Sequence, residues 1–180
     1  MKNIVGKVNR LWRRVNWQYY WGDPLDVRYF ICAQLSALKN KKVLDIGCGN
    51  GIMLSCLDES NEAHGLDTDG EALRLARELL GSRAILEKNS WEALGESQKK
   101  YDVVLLVHLL ELIAGDQRLS LLTTARRILK DDGRLIFTTP NRLNAYYRDN
   151  YAKLDEKELR HLLESAGFSG KIYGWNPFPI

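Results

Sequence analysis

Residues 43–51 read VLDIGCGNG, an apolar run that ends in an aspartate and continues into three glycines at alternate positions. The apolar run predicts a buried strand, and the glycines predict a sharp turn after it, because glycine adopts positive φ without steric cost. Such a turn brings main-chain N–H groups close to a ligand, and a following helix presents further unpaired amides. Asp45 can accept hydrogen bonds from the loop or from a cationic amine beyond it. The segment therefore predicts a site for a nucleoside-containing cofactor.

The glycine spacing indicates which cofactor this is. A dinucleotide-binding turn carries its third glycine five residues after the first, whereas here it comes after four, which disfavours an NAD-dependent oxidoreductase. The pattern D-x-G-x-G-x-G resembles motif I of the class I (Rossmann-like) methyltransferases that use S-adenosylmethionine, and the resemblance runs from about residue 40 to 170. It implies that Asp45, Gly47, Cys48, Gly49 and Gly51 contact that cofactor, with S-adenosylhomocysteine as the product.

A second strand, residues 63–67, ends in Asp67, twenty positions after Gly47. A carboxylate there can accept both hydroxyls of a ribose, and the resemblance implies this role, with Thr68 beside it. The alternative is that Asp67 is simply the N-cap of a helix over residues 69–80.

A third strand, residues 83–87, leads into Asn89, Ser90 and Trp91. The resemblance implies that these residues surround the adenine, with Asn89 bonded to its amino group. Trp91 could stack on the base or could be an ordinary core aromatic residue.

The fourth strand, residues 101–107, ends at Val107, and His108 and Glu111 follow it. In the family this region runs beneath the methionine part of the cofactor and faces the substrate. Many members carry a Glu-His pair where this chain has Glu111 and Leu112. No catalytic group is therefore fixed; His108, Glu111 and the later Tyr146 are the candidates for a general base.

The succession of strands and helices predicts an α/β fold. A helix over 117–130, a fifth strand over 133–139 and a helix from 154 to 166 continue the pattern, which implies right-handed crossovers. We expect a three-layer Rossmann-like sandwich, with a mostly parallel sheet and helices on both faces. Continuous apolar runs predict that its strands are buried on both sides. One further strand fits, over 171–175, so the seventh strand usual in the family is expected to be missing.

The 180 residues suffice for one domain with a full core, and no linker-like stretch divides them. No apolar run approaches the ~20 residues of a membrane span, and the start lacks a secretory h-region. Three cysteines (Cys32, Cys48 and Cys56) form an odd number without metal-ligand spacing. These features predict reduced thiols, no metal site and a cytoplasmic location.

Positive charge is concentrated near the start, where residues 1–44 hold nine Lys or Arg against two Asp. We divide the single domain into a helical segment, residues 1–40, and a core, residues 41–180. Three interpretations of the segment compete: a helix on the sheet edge, which we favour, a lid over the cofactor, and a footprint for nucleic acid or a membrane surface through residues 1–42. The chain is nearest in pattern to the quinone-biosynthesis O-methyltransferases and the type 11 and 12 methyltransferases. Arg28, on an expected helix over 25–37, matches an arginine that quinone-biosynthesis O-methyltransferases and their relatives place near the cofactor carboxylate. The alternative is an ordinary helix arginine that faces solvent.

The sequence thus predicts a methyltransferase acting on a small-molecule oxygen or nitrogen nucleophile. The alternatives are a non-catalytic module that binds S-adenosylmethionine or regulates a partner, and an enzyme acting on RNA or protein. The acceptor itself is not predicted, because one fold serves many acceptors.

Overall fold

The structure, a computed structural model, describes residues 25–140 and 154–173. Over these residues five strands form one sheet in the order β3-β2-β1-β4-β5, and every neighbouring pair is parallel. The strands are β1 Lys42–Ile46, β2 Glu62–Asp67, β3 Ala84–Lys88, β4 Tyr101–Val107 and β5 Leu129–Thr138.

Helices cover both faces of this sheet. The α-helices are α1 Leu25–Ser36, α2 Ile52–Ser55, α3 Gly70–Leu80, α4 Arg118–Ile128 and α5 Glu156–Ser165. Short 3₁₀ helices span Gly81–Arg83, Trp91–Glu96, Leu110–Leu112 and Gly115–Gln117. The three-layer Rossmann-like architecture predicted from the sequence is confirmed.

Two apolar clusters fill the space between the sheet and its helices. One contains buried residues of α1, α2 and α3, including Leu35 and Leu73. The other contains residues of α4 and α5, including Leu121 and Leu159. The two clusters take alternate side chains of β1: Val43 belongs to the first and Leu44 to the second. This alternation is what a sheet covered on both faces requires.

Side-chain caps fix where two of the helices begin. Asp69 precedes α3, and its carboxylate accepts from the amides of Glu71 and Ala72. Asp155 precedes α5 and forms a reciprocal capping box with Glu158. Each cap satisfies backbone donors that the first turn leaves unpaired.

Several expectations about the strands were wrong. β5 begins at Leu129 rather than residue 133, because the buried Leu129 pairs with Tyr101 and residues 130–133 are accommodated as an irregularity in the register. The apolar residues 135–137 are half-buried rather than buried, and β3 is largely exposed. Residues 171–173 form no strand, and the rest of the expected sixth strand lies outside the described residues, as do residues 1–24 of the helical segment predicted over 1–40.

The expectation of three reduced thiols was also wrong. Cys32 of α1 and Cys56, just after α2, form a disulfide with their Cα atoms 5.2 Å apart, which leaves only Cys48 as a free thiol. The number of cysteines could not reveal this pair, because it depends on how α1 packs against α2. Within the described residues, none of the helices has the length and apolar character needed to cross a membrane.

Candidate cofactor and acceptor site

The glycine loop, residues 47–51, connects β1 to α2 and is anchored on β2. The amides of Gly47 and Cys48 both donate to the carbonyl of Leu66, at 2.8 and 3.1 Å, and the Gly51 amide donates to the Cys48 carbonyl at 2.9 Å. These bonds turn the chain sharply at the carboxyl end of β1. Parallel α/β sheets bind ligands at this edge.

Only one of the three glycines borders open space. Gly47, Gly49 and Gly51 all have positive φ, at 73°, 52° and 78°. A Cβ atom on Gly47 would lie 3.0 Å from a methyl carbon of Leu109, and one on Gly51 would lie 2.7 Å from Leu80. Among the described residues, no heavy atom outside Gly49 and its two chain neighbours lies within 4 Å of the corresponding position on Gly49. The main chain at Gly49 is therefore where a ligand can approach the loop.

The carboxylate of Asp67 joins β2 to the glycine loop. One oxygen accepts from the Gly49 amide at 2.7 Å, and the other accepts from the Asp69 amide at 2.8 Å. The N-cap of α3 is Asp69, so the alternative role of Asp67 as the helix cap was wrong. Each carboxylate oxygen has a further lone pair, so Asp67 can still accept from hydroxyls of a ligand.

Asp45 is a buried carboxylate at the end of β1, with only 2% of its surface exposed. Among the described residues, one of its oxygens, Oδ1, has no hydrogen-bond partner. Burial, and secondarily the charge of Asp67, raise the pKa of Asp45 from 3.8 to about 8. A buried acceptor without a partner beside an open cradle fits a ligand that carries a positive charge.

Cys48 packs into the core rather than toward the open space. Its Sγ atom lies 2.8 Å from where a Cβ atom on Gly65 of β2 would be. Burial raises the pKa of the Cys48 thiol, and the charges of Asp45 and Asp67 add to that effect. A thiol in this setting stays protonated and is a poor nucleophile.

The residues expected around adenine and ribose lie at the carboxyl ends of β2 and β3. Asn89 and Thr68 are exposed; the Asn89 amide donates to the Asp67 carbonyl at 3.0 Å, and its side chain accepts from the Ser90 amide at 2.9 Å. Trp91 is half-buried and packs against the core cluster on the α4 side. Val107, at the end of β4, packs against the cluster on the opposite face.

A histidine and a glutamate meet immediately after β4. His108 has a left-handed backbone, with φ 55°, and its Nδ1 atom lies 2.9 Å from a carboxylate oxygen of Glu111. The side chain of Glu111 is 3% exposed, and that of His108 is 24% exposed. Positive φ is costly for a residue other than glycine, and such conformations cluster at functional sites. The structure thus pairs two of the candidate bases suggested by the sequence.

Arg118, a residue that the sequence did not single out, holds the β4–α4 loop (residues 108–117) in place. It is 9% exposed, and its Nε atom donates to the carbonyls of Leu110 and Ile113, at 3.2 and 3.1 Å. These bonds fix the turn that carries Glu111. A buried arginine at the start of α4 was the available signal, but burial could not be read from the local pattern.

Two sequence candidates cannot be placed. Arg28 lies on the first turn of α1, but its side chain is outside the described part of the structure. Tyr146 lies in residues 141–153, also outside it.

A cavity of about 120 Å³ lies between the sheet and residues 89–100, and its lining includes Asn89 of the candidate site and Leu66, which anchors the glycine loop. His64 lines it but is a core residue, because its ring nitrogens contact Glu62 at 2.6 Å and Tyr101 at 3.4 Å. The chemistry described above therefore belongs to the glycine loop and not to this cavity.

Comparisons with known proteins agree with this geometry. A family model described as a methyltransferase domain matches residues 25–170. The ubiquinone biosynthesis O-methyltransferase of Nitrosomonas europaea is 30% identical, with 88% of this chain and 76% of that protein aligned. The enzyme of the same name from Klebsiella pneumoniae is 33% identical over 67% of this chain and 50% of that protein. The chain therefore spans between half and three quarters of the length of these relatives.

Solved structures share the fold at low identity. A magnesium protoporphyrin IX methyltransferase from Synechocystis, with bound S-adenosylmethionine, has a TM-score of 0.65 and 19% identity over 89% of this chain and 80% of that one. A 1,6-didemethyltoxoflavin-N1-methyltransferase from Burkholderia thailandensis, with bound S-adenosylhomocysteine, has a TM-score of 0.61 and 24% identity over 77% and 66%.

Proposed function

Since the chain belongs to the methyltransferase family of Rossmann-like fold that uses S-adenosylmethionine, we propose that it transfers a methyl group from this cofactor to an oxygen or nitrogen atom of a small molecule. The observation that carries the proposal is the bonded pair of His108 and Glu111, because it lies in the segment whose Leu109 covers Gly47 of the glycine loop. The glycine loop that would hold the methyl donor and the candidate base His108 are therefore adjacent.

The residues present fit the cofactor. The open space at Gly49 admits a ligand to the main chain, and the unpartnered oxygen of Asp45 suits the ligand's ammonium group. Asp67 would accept from the ribose hydroxyls, and Asn89 with Ser90 and Trp91 would enclose the adenine. Arg28 would pair with the ligand carboxylate, since a guanidinium binds a carboxylate through two parallel hydrogen bonds.

When bound, the cofactor supplies a methyl group already activated on a sulfonium. The chain's task is to align the acceptor and to remove its proton. We assign a proton to Nδ1 of His108, where it donates to Glu111, so that Nε2 would be the basic nitrogen of the ring. Nε2 is buried among the described residues, so an acceptor must displace neighbouring atoms to reach it. The Glu111 carboxylate then stabilises the imidazolium that forms when Nε2 takes the acceptor's proton. The left-handed backbone of His108 and the hydrogen bonds from Arg118 to the β4–α4 loop keep His108 and Glu111 in position.

A small acceptor with an apolar part is the class we favour. Leu112 is 61% exposed in the β4–α4 loop, next to Glu111, and offers an apolar contact there. Two proteins of the same fold carry names that describe methylation of small heterocyclic molecules. We also propose that residues 1–180 form one domain in the cytoplasm. For residues 1–40 we favour a helical segment on the sheet edge over a lid or a footprint for nucleic acid or a membrane surface.

The test combines binding with an unbiased search for the acceptor. Isothermal titration should show binding of S-adenosylmethionine and not of NADH. Incubation with cofactor labelled in its methyl group and a cell extract should then place label in the small-molecule fraction. Label in RNA or protein would contradict the proposed acceptor class, and cofactor binding without any transfer would favour a non-catalytic module.

The role of His108 is tested with His108→Asn. Asparagine tolerates positive φ and can still donate to Glu111, but it cannot take a proton. We expect at least a hundredfold loss of turnover, within the range for removal of a general base, with cofactor affinity unchanged. His161→Asn, the same change on the exposed side of α5, is the matched control. Equal activity of the two variants would exclude His108 as the base.

A further inference from the structure

The Cys32–Cys56 disulfide cross-links the two ends of the chain segment that contains the proposed cofactor-binding loop. The two cysteines are 24 residues apart, and the chain between them contains all of β1, Asp45 and the glycine loop. Its two ends are held at α1 and immediately after α2, the single helical turn that follows Gly51. A bond in this position restrains the segment that presents main chain to the ligand.

The bond also fixes α1 against the loop. Arg28 precedes Cys32 by four residues on α1, about one turn of the helix. Apart from the disulfide, α1 is held by buried apolar residues, among them Ile31 and Leu35. Such contacts permit small sliding movements that a covalent tether prevents. Opening the bond therefore frees the helix turn carrying Arg28 to move relative to the glycine loop.

We propose that Cys32 and Cys56 form a reversible redox site, and that its oxidised state sets a higher affinity for S-adenosylmethionine than its reduced state. The proposal rests on the cofactor site proposed above. By reciprocity, bound cofactor makes the disulfide harder to reduce by the same factor.

The exchange reaction has a defined point of attack. Cys32 is 3% exposed, whereas Cys56 is half-buried, so an incoming thiolate of a small thiol such as glutathione reaches Cys56 Sγ. The protein S–S bond breaks, Cys32 leaves as a thiolate and takes a proton, and a mixed disulfide remains on Cys56. A second thiol attacks that bond and releases the Cys56 thiol, so two small thiols are oxidised to their disulfide while the protein disulfide is reduced to two thiols. The reverse reaction uses the oxidised small disulfide.

Cys48 takes no part in this exchange, although it lies in the glycine loop. It is 6% exposed, and burial raises the pKa of its thiol, so it provides little thiolate. The pair Cys32 and Cys56 thus responds to small thiols while Cys48 remains reduced.

The test equilibrates the whole chain in glutathione buffers of different thiol-to-disulfide ratio. Mass-spectrometric counting of alkylated thiols gives the state of the bond, and isothermal titration gives the cofactor affinity of each state. We expect one alkylated cysteine or fewer in the oxidised form and three alkylated cysteines in the reduced form after denaturation. The affinity of the reduced form for S-adenosylmethionine should be five- to tenfold weaker than that of the oxidised form. Saturating cofactor should raise the squared thiol concentration divided by the disulfide concentration at half-reduction by the same five- to tenfold, because two thiols are consumed for each protein disulfide reduced.

The matched variant is Cys32→Ala/Cys56→Ala. It should bind the cofactor like the reduced protein and show no change in affinity on addition of thiol. Equal affinities of oxidised and reduced wild type, with thiol counting proving the change of state, would overturn the switch while leaving the cofactor site intact. Three free thiols at every ratio would overturn the bond itself. Absence of binding in both states would instead contradict the proposed function.

Discussion

The unusual acid–base state of Asp45 leads to a prediction about the pH dependence of cofactor binding. Its pKa is about 8, raised by burial and by the neighbouring charge of Asp67. If this carboxylate pairs with the ammonium group of S-adenosylmethionine, the complex requires Asp45 ionised and the amine protonated. A free α-amino group has a pKa of about 7.8. The two groups therefore titrate in the same range, and affinity should pass through a maximum near pH 8.

The size of the effect follows from the two ionised fractions. At pH 6 about 1% of Asp45 is ionised while nearly all of the amine is charged. Near pH 8 a little under half of each group is in the required form, so about 20% of encounters are competent. Affinity should therefore rise about twentyfold between pH 6 and pH 8, equivalent to about 1.8 kcal/mol, and fall again at higher pH.

Isothermal titration with S-adenosylmethionine at half-unit steps of pH measures this profile. Asp45→Asn should remove the acidic limb, leaving affinity flat below pH 7. Asp58→Asn is the control, because hydrogen bonds from Lys39 and Ser60 hold the pKa of Asp58 well below its usual range. A wild-type affinity that is constant from pH 6 to 8, or an acidic limb that persists in Asp45→Asn, would refute the pairing.

The same pKa predicts the sign of a stability change in the ligand-free protein. The folded-state pKa of Asp45 lies above its unfolded value of 3.8, so its contribution to stability is fully present below pH 4 and is lost as pH rises through about 8. Chemical denaturation should therefore show Asp45→Asn more stabilising, or less destabilising, at pH 8.5 than at pH 5. The opposite ordering would mean that Asp45 is ionised at low pH in the folded state.

Two further predictions concern single side chains. Gly49→Val should abolish cofactor binding in calorimetry because the valine side chain fills the open space beside the glycine loop. Gly81→Val is the control, at a glycine with a similar φ of 56° and equally open surroundings, and should lower stability without affecting binding. Equal binding by both variants would show that the glycine loop is not the cofactor site. Arg118→Ala should lower turnover and destabilise the fold by about 2–3 kcal/mol, because one buried and one partly buried carbonyl lose a charged donor. Arg160→Ala, on an exposed face of α5, is the control and should change stability by no more than about 0.5 kcal/mol. An Arg118 variant that loses neither turnover nor stability would show that Arg118 does not hold the β4–α4 loop.

The features that could be predicted are those determined by residues that are close together in the sequence. β4 was predicted at its observed bounds because its apolar run is continuous, and α3 was predicted to within one residue, although its N-cap is Asp69 and not Asp67. Glycine spacing placed the turn after β1. In each case neighbouring residues determine the conformation, so periodicity and capping suffice.

The features that were missed depend on contacts between distant residues. Cys32 meets Cys56 only because α1 packs beside α2, and Arg118 reaches Leu110 only after the β4–α4 loop has folded back. Leu129 joins β5 because it pairs with Tyr101, which lies 28 positions earlier. Such contacts leave no local pattern, since each partner is an ordinary residue in its own segment.

The donor and acceptor sides of the site are attached to different parts of the fold. The glycine loop is bonded to β2 through the carbonyl of Leu66, whereas the β4–α4 loop is bonded to α4 through Arg118. Substitutions in the second attachment leave the hydrogen bonds of the first intact. On the proposed function, substitutions in residues 110–117 would change the acceptor while the glycine loop keeps its own hydrogen bonds, whereas Leu109 must be retained because it packs against Gly47.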